Sequence, residues 1–155
     1  MNGCPKMTSI KIMAEVPESL AKTMAEDLEY TEERSGVSVN YRQFSLILSL
    51  DNHEAIGVLN AYTAFAEIYI DDIWIHSKHR KKGYGKMLLA YLENHFKDKG
   101  FNNINLVTSQ FQAPDFYNKC GYQLEFVRKN SVNPQFTKYF YVKFFDNKRQ
   151  TKGLL

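Results

Sequence analysis

An apolar run at residues 67–75, EIYIDDIWI, is followed by a basic glycine-bearing turn, an amphipathic stretch, GKMLLAYLENHFKDKG, and a second apolar run, INLVT. A strand, a helix and a strand in succession rejoin one sheet most directly through a parallel, right-handed crossover. That unit limits the fold more than any other feature of the chain. In the amphipathic stretch Met87, Leu88, Tyr91, Leu92, His95 and Phe96 share one helical face, and Gly100 stands where a left-handed cap would close the helix.

Around this unit the other runs read mostly as hairpins. TSIKIMA alternates like a first strand. PESLAKTMAEDLEYTEERSG opens with Pro17 at a helix start and stops at Gly36; Leu20, Met24, Leu28 and Thr31 form one stripe, and the other face is acidic and solvated. FSLILSL, the turn DNHE and AIGVLNAYTAF make a hairpin, which EIYIDDIWI extends as a meander. APDFYNKCGY is a short helix with Pro114 in its first turn and Gly121 just past its end. YQLEFVR and TKYFYVKFF are two closing strands joined by KNSVNPQ. The predicted order is β-α-β-β-β-α-β-α-β-β, a mixed α/β (α+β) fold. Its central sheet is mostly antiparallel with one parallel βαβ crossover, flanked by helices, and is not doubly wound. The 155 residues suit one domain over 8–145, between flexible ends at 1–7 and 146–155.

The formal charge of +3 suits an anionic ligand but is too small to argue for nucleic acid. Cys4 and Cys120 match no metal or redox spacing, and His53, His76, His79 and His95 form no ligand pattern, so no metal is expected. The start, MNGCPKMTSI, has no apolar leader region, and no stretch approaches ~20 apolar residues. These features predict a cytoplasmic protein with free thiols and no membrane span.

The turn HRKKGYGKML carries the functional signal. The first amides of a helix lack intrahelical partners and sit at the positive end of its dipole. Glycines before such an end let backbone close around an anion. Arg80, Lys81, Lys82 and Lys86 add mobile positive charge around Gly83, Tyr84 and Gly85, an arrangement that fits a pyrophosphate. By charge alone a basic turn is most often merely solvated. A nucleic-acid surface would need basic residues recurring on one face between exposed aromatics, and here Lys and Arg are otherwise scattered. Neither G-x-x-x-x-G-K-[ST] nor a G-x-G-x-x-G after an opening strand is present.

Arg80-Lys81-Lys82-Gly83-Tyr84-Gly85 reads R-x-x-G-x-G after an apolar strand and at the opening of a helix. Here the sequence resembles the GNAT acetyltransferase superfamily, whose acetyl-coenzyme A signature is [Q/R]-x-x-G-x-[G/A]. FQAPDFYNKCGY is similar to a second family block, A-x-x-F-Y-x-K-x-G-[F/Y], at Ala113, Phe116, Tyr117, Lys119, Gly121 and Tyr122. The resemblance covers residues 8 to 145, and more narrowly it is to a compact bacterial branch.

The resemblance implies acetyl transfer from acetyl-coenzyme A to an amine of a small molecule or peptide. It implies that backbone groups of Ile73, Trp74 and Ile75 hold the pantetheine arm where this strand splays from INLVT, and that amides from Lys82 to Lys86 hold the pyrophosphate. The Trp74 side chain itself reads as core. Tyr117 matches the family's general acid, with packing under the sheet as the plainer alternative. Where many members carry an asparagine that holds the pantetheine, Gln110 stands here, and Gln112 competes for the role. The histone-acetyltransferase branch has a glutamate at the place of Tyr69, a departure that leaves the base open. A period of two puts Glu67, Tyr69, Asp71 and Ile73 on one face and Asp72 on the other, so Glu67 or Asp71 is the expected base or relay. The resemblance allows a homodimer, since the final strand often pairs between subunits in the family. The alternative reading is a non-catalytic acyl-coenzyme A-binding regulatory module.

Overall fold

The computed structural model describes residues 9–145. Cys4 and the segments 1–7 and 146–155 lie outside the described residues. The chain divides into two compact units, Met1–Ser38 and Val39–Leu155.

Among its described residues the first unit contains one helix, α1, Glu18–Ser35, preceded by Pro17 and ended by Gly36 in the left-handed region at φ 67°. The amides of Gly36 and Val37 return to the carbonyls of Glu33 and Glu32, both at 3.1 Å, which satisfies two of the carbonyls a helix leaves unpaired. The expected strand at TSIKIMA is absent: residues 9–13 are irregular. An alternating run has no ladder of its own and becomes a strand only against a sheet edge.

The second unit is built on β1 Arg42–Ser49, β2 Ala55–Ala64, β3 Glu67–Ile75, α2 Tyr84–Phe96, β4 Asn103–Ser109, α3 Asp115–Lys119, β5 Gln123–Arg128 and β6 Lys138–Phe144. Its six strands lie in the order β1-β2-β3-β4-β6-β5. Only β3 and β4 are parallel, joined by the predicted crossover through α2. The core lies between α2 and the sheet: Leu88, Leu89 and Leu92 pack with Leu59, Ile68, Ile70, Ile104, Leu106 and Tyr141. The inward stripe of α2 therefore includes Leu89, while Met87 and Tyr91 are exposed on its flank. A 3.6-residue period locates an apolar face only to within a residue; contact with the sheet selects its centre. The helix ends at Lys97, so Gly100, at φ 87°, belongs to the following turn and is not the cap.

A β-bulge overturns the predicted phase of β3. Asn60 faces Asp72 and Ala61 faces Ile70, which leaves Asp71 as an extra residue. Before it, Ile68 and Ile70 are buried beside α2. Beyond it, Ile73 and Ile75 pack against the same core, opposite Leu59 and Gly57. One inserted residue shifts the alternation by one, so Ile73 moves to the helix side and Asp72 joins the Glu67 and Tyr69 side. Trp74 is turned outward for the same reason and is 43% exposed, not core.

Candidate active site

The parallel pairing lasts only from Glu67↔Asn103 to Ile70↔Leu106. β3 continues to Ile75 and β4 to Ser109 without a further pair between them. The unpaired backbone edges open a wedge immediately after the bulge.

One cleft beside the wedge has a volume of about 720 Å³. It brings together the predicted Ile73, Trp74 and Ile75 of β3, Arg80, Lys81, Gly83, Tyr84, Gly85 and Lys86 of the turn, and Gln112 and Tyr117. His79, Ala113, Phe116 and Lys119 also line it, and sequence reasoning did not assign them to the site; three of the four belong to the second sequence block. Lys82 and Gln110 are outside the lining. The Gln110 side-chain carbonyl accepts from the Tyr139 hydroxyl. Gln112 accepts from the Ser109 amide at 3.0 Å and remains at the cleft wall.

The basic turn is shaped by two left-handed residues, Lys81 at φ 60° and Gly83 at φ 86°. Gly83 caps α2 without a side chain, so no side-chain oxygen occupies the helix's first amides. One of the charges around it, Arg80, is less mobile than expected. Arg80 Nε donates to the Ile75 carbonyl at 3.0 Å and ties the turn to the end of β3. A ladder of rings, Trp74 to His76 to His79 to Tyr84, follows the same path at centroid separations of 5.9, 5.9 and 6.3 Å. Arg80, Lys81, Lys86 and Lys119 line the cleft with no carboxylate among the described lining residues.

Tyr117 is carried by α3 and packed among rings, edge-on to Phe116 at 5.1 Å and Tyr122 at 6.1 Å and tilted against Tyr141 at 5.7 Å between centroids. Burial, then Cys120 and Asp72, push its phenol up to about 12, so it keeps its proton at neutral pH. Burial pushes the Cys120 thiol up as well, outweighing the opposing pull of Lys86.

A second cleft, of about 470 Å³, contains Ile70 and Leu106 at the wedge together with Glu67, Asp71 and Tyr141. It includes Tyr62, Asn105 and Glu125, none of which sequence reasoning singled out. Glu67 Oε2 accepts from the Tyr69 hydroxyl and from Asn105 Nδ2, the latter at 2.9 Å. That pairing, with burial, raises the Tyr69 phenol to about 12. Asp72, assigned by periodicity to the far face, is gripped by Asn60 Nδ2 at 3.2 Å to each oxygen. Ser45 donates to Asn60 Oδ1 at 2.6 Å and orients that amide. Asp71 makes no side-chain hydrogen bond or ion pair among the described residues.

A mixed sheet thus parts beside a cationic helix start, and the cleft there is lined by Tyr117. The chain belongs to the acetyltransferase (GNAT) family, whose model matches residues 13–122. A curated relative, the uncharacterized protein YyaT of Bacillus subtilis strain 168, is 33% identical over 78 residues, covering 50% of this chain and 52% of the relative. The chain thus matches about half the length of that relative. Among solved structures, an acetyltransferase from Bacillus cereus ATCC 14579 superposes with a TM-score of 0.70 at 24% identity, over 87% of this chain and 98% of the other. An aminoglycoside 6'-N-acetyltransferase complexed with coenzyme A gives a TM-score of 0.56 at 20% identity, over 81% and 86%. At these identities the structural likeness defines the fold.

Proposed function

We propose that residues 8–145 form an N-acetyltransferase domain that transfers the acetyl group of acetyl-coenzyme A to a primary amine of a small molecule or peptide, with both substrates bound together. The observation that carries this reading is the wedge after Ile70 and Leu106, with a cationic cleft beside it and a carboxylate-bearing one meeting it. The cationic cleft suits the coenzyme: first-turn amides of α2 have no side-chain cap, four cations stand around them, and backbone of Ile73 to Ile75 is free of β4. Acetyl-coenzyme A would supply an activated acyl group as its thioester.

The chain's residues then divide the remaining chemistry. Amides from Tyr84 to Lys86, with Lys81, Lys86 and Lys119, hold the diphosphate, and Gln112 offers the amide that the family's asparagine supplies. Arg80 acts by holding the turn. An alkyl amine with a pKa near ~10.4 is mostly protonated at neutral pH and must lose a proton before it attacks. Asp71, the unpaired carboxylate at the wedge, receives that proton through water, and Glu67 relays it within its network with Tyr69 and Asn105. Tyr117, at about 12, donates a hydrogen bond toward a departing thiolate. A thiol's pKa of about 8.5 makes complete transfer from this phenol uphill by roughly 5 kcal/mol, so solvent completes the protonation. A protonated Cys120 favours direct transfer over an acylated enzyme.

A cytoplasmic location goes with this reading; among the described residues no helix is long and apolar enough to cross a membrane. Calorimetric titration with acetyl-coenzyme A and a thiol-release assay on a panel of amines test the proposal. Saturable binding with turnover of at least one amine is expected. Absence of binding at submillimolar concentrations overturns it, and binding without turnover of any acceptor turns the assignment to an acyl-coenzyme A-binding module.

A further inference from the structure

The cleft on the carboxylate side contains a second bulge. Leu124 faces Tyr141 and Phe126 faces Phe140, so Glu125 is the extra residue of β5, as Asp71 is of β3. Both unpaired residues line the same cleft, and both are exposed. Neither makes a side-chain hydrogen bond or ion pair among the described residues. A bulge re-aims a side chain out of the ladder's alternation, and here two strands at separate places in the sheet each turn a carboxylate into one cavity. At the β2–β3 end of the same cleft Tyr62 and Tyr69 stack at 5.0 Å and 11° and present aromatic surface, to which a cation is drawn. None of the described lining residues is a lysine, arginine or histidine. Arg128, outside the lining, is engaged over Phe140 at 5.0 Å.

The reacting amine must be neutral when it attacks, and its proton goes toward Asp71, so it offers Glu125 no charge partner. A second ammonium on the same substrate would pair with Glu125 through a charge-assisted hydrogen bond. The strand order puts three spacings between β3 and β5, roughly 14 Å of sheet before the side chains lean inward. A flexible chain of several carbons bridges that gap.

We propose that Glu125 determines acceptor specificity by holding a second, distal ammonium group, so that the preferred acceptor is a linear diamine or polyamine and not a monoamine. This rests on the acetyltransferase reading, and deepens it by naming the substrate class. Glu125 is not catalytic, and its effect falls on binding.

The test compares 1,5-diaminopentane with 1-aminopentane in a thiol-release assay on the full chain. The diamine is expected to be favoured in kcat/KM by about 10- to 100-fold, the discrimination typical of one charge-assisted contact. Glu125→Gln should reduce that preference to a few-fold and leave kcat/KM for 1-aminopentane unchanged. Equal use of both amines by the unmodified protein, or a preference that survives Glu125→Gln, overturns the proposal without touching acetyl transfer. A second arm uses N,N,N',N'-tetramethyl-1,5-diaminopentane, which cannot form an amide, in calorimetry without acetyl-coenzyme A. Binding that is lost in Glu125→Gln supports the proposal even if turnover fails; absence of binding, or binding indifferent to the substitution, overturns it.

Discussion

The ring of Phe116 stands 3.0 Å from the point a Cβ would occupy on Gly85. The two sequence blocks thus touch at the mouth of the cationic cleft, one glycine in the first turn of α2 against one aromatic of α3. Alanine at 85 would gain about 1 kcal/mol of helix propensity but meet overpacking that costs about 1–3 kcal/mol. Gly85→Ala is therefore expected to lose about 1 kcal/mol net, and Gly85→Val more. Combining Gly85→Ala with Phe116→Leu relieves the contact and should recover the loss, a coupling that urea melts of the two singles and the double will reveal.

Arg80 and Lys86 line one cleft but are expected to act differently. Arg80 is bonded to the Ile75 carbonyl, and lysine cannot reproduce that bond with the same geometry. Arg80→Lys should weaken acetyl-coenzyme A binding about 5- to 10-fold, nearly independently of salt. The loss in Lys86→Ala should shrink as ionic strength rises, because an exposed charge is screened. Calorimetry at low and high salt separates the two.

Tyr117→Phe is expected to lower kcat by about 10²-fold with little change in acetyl-coenzyme A affinity. Because the Tyr117 phenol is pushed up to about 12, its ionisation should produce no falling limb in the rate below about pH 11. The same shift affects stability. The folded state holds the proton more tightly than the unfolded one, so the contribution is complete below pH 10 and is lost as pH rises through 12, on the order of 2–3 kcal/mol. Urea melts at pH 8 and at high pH should show a smaller alkaline loss in Tyr117→Phe than in the unmodified protein.

Adjacent aspartates should separate cleanly. Asp71→Asn removes the unpaired carboxylate at the wedge and should lower kcat/KM by about 10²-fold. Asp72 is already engaged with Asn60, so Asn60→Ala should cost no more than about 1 kcal/mol, as expected of an exposed pair, and reduce turnover less than fivefold. Steady-state kinetics with one amine acceptor measures both.

Much of the candidate site's framework was legible in the sequence, because its determinants are local. The strand, basic turn and helix from Glu67 to Phe96 are set by short-range periodicity and by glycine placement. The φ of 86° at Gly83 is a property of that same turn. The place of Phe116 against Gly85 is not local: the missing side chain there makes room for a ring from α3. The irregular TSIKIMA segment failed for the complementary reason, since alternation within a run says nothing about whether a sheet edge receives it.

By itself, then, the sequence determined which segments are helices and strands in the sheet-bearing unit, that one parallel crossover joins them, and where a cationic helix start would lie. Tertiary structure alone decided where β3 and β4 part and which residues the bulges turn out of the ladder. Those outcomes moved Ile73 to the core side, turned Trp74 outward, brought Asp72 to the face of Glu67, and set Glu125 in the same cleft as Asp71. The physical reason is that a bulge is a mismatch between two paired strands. It has no existence in either strand alone, yet it reverses the facing of every residue beyond it.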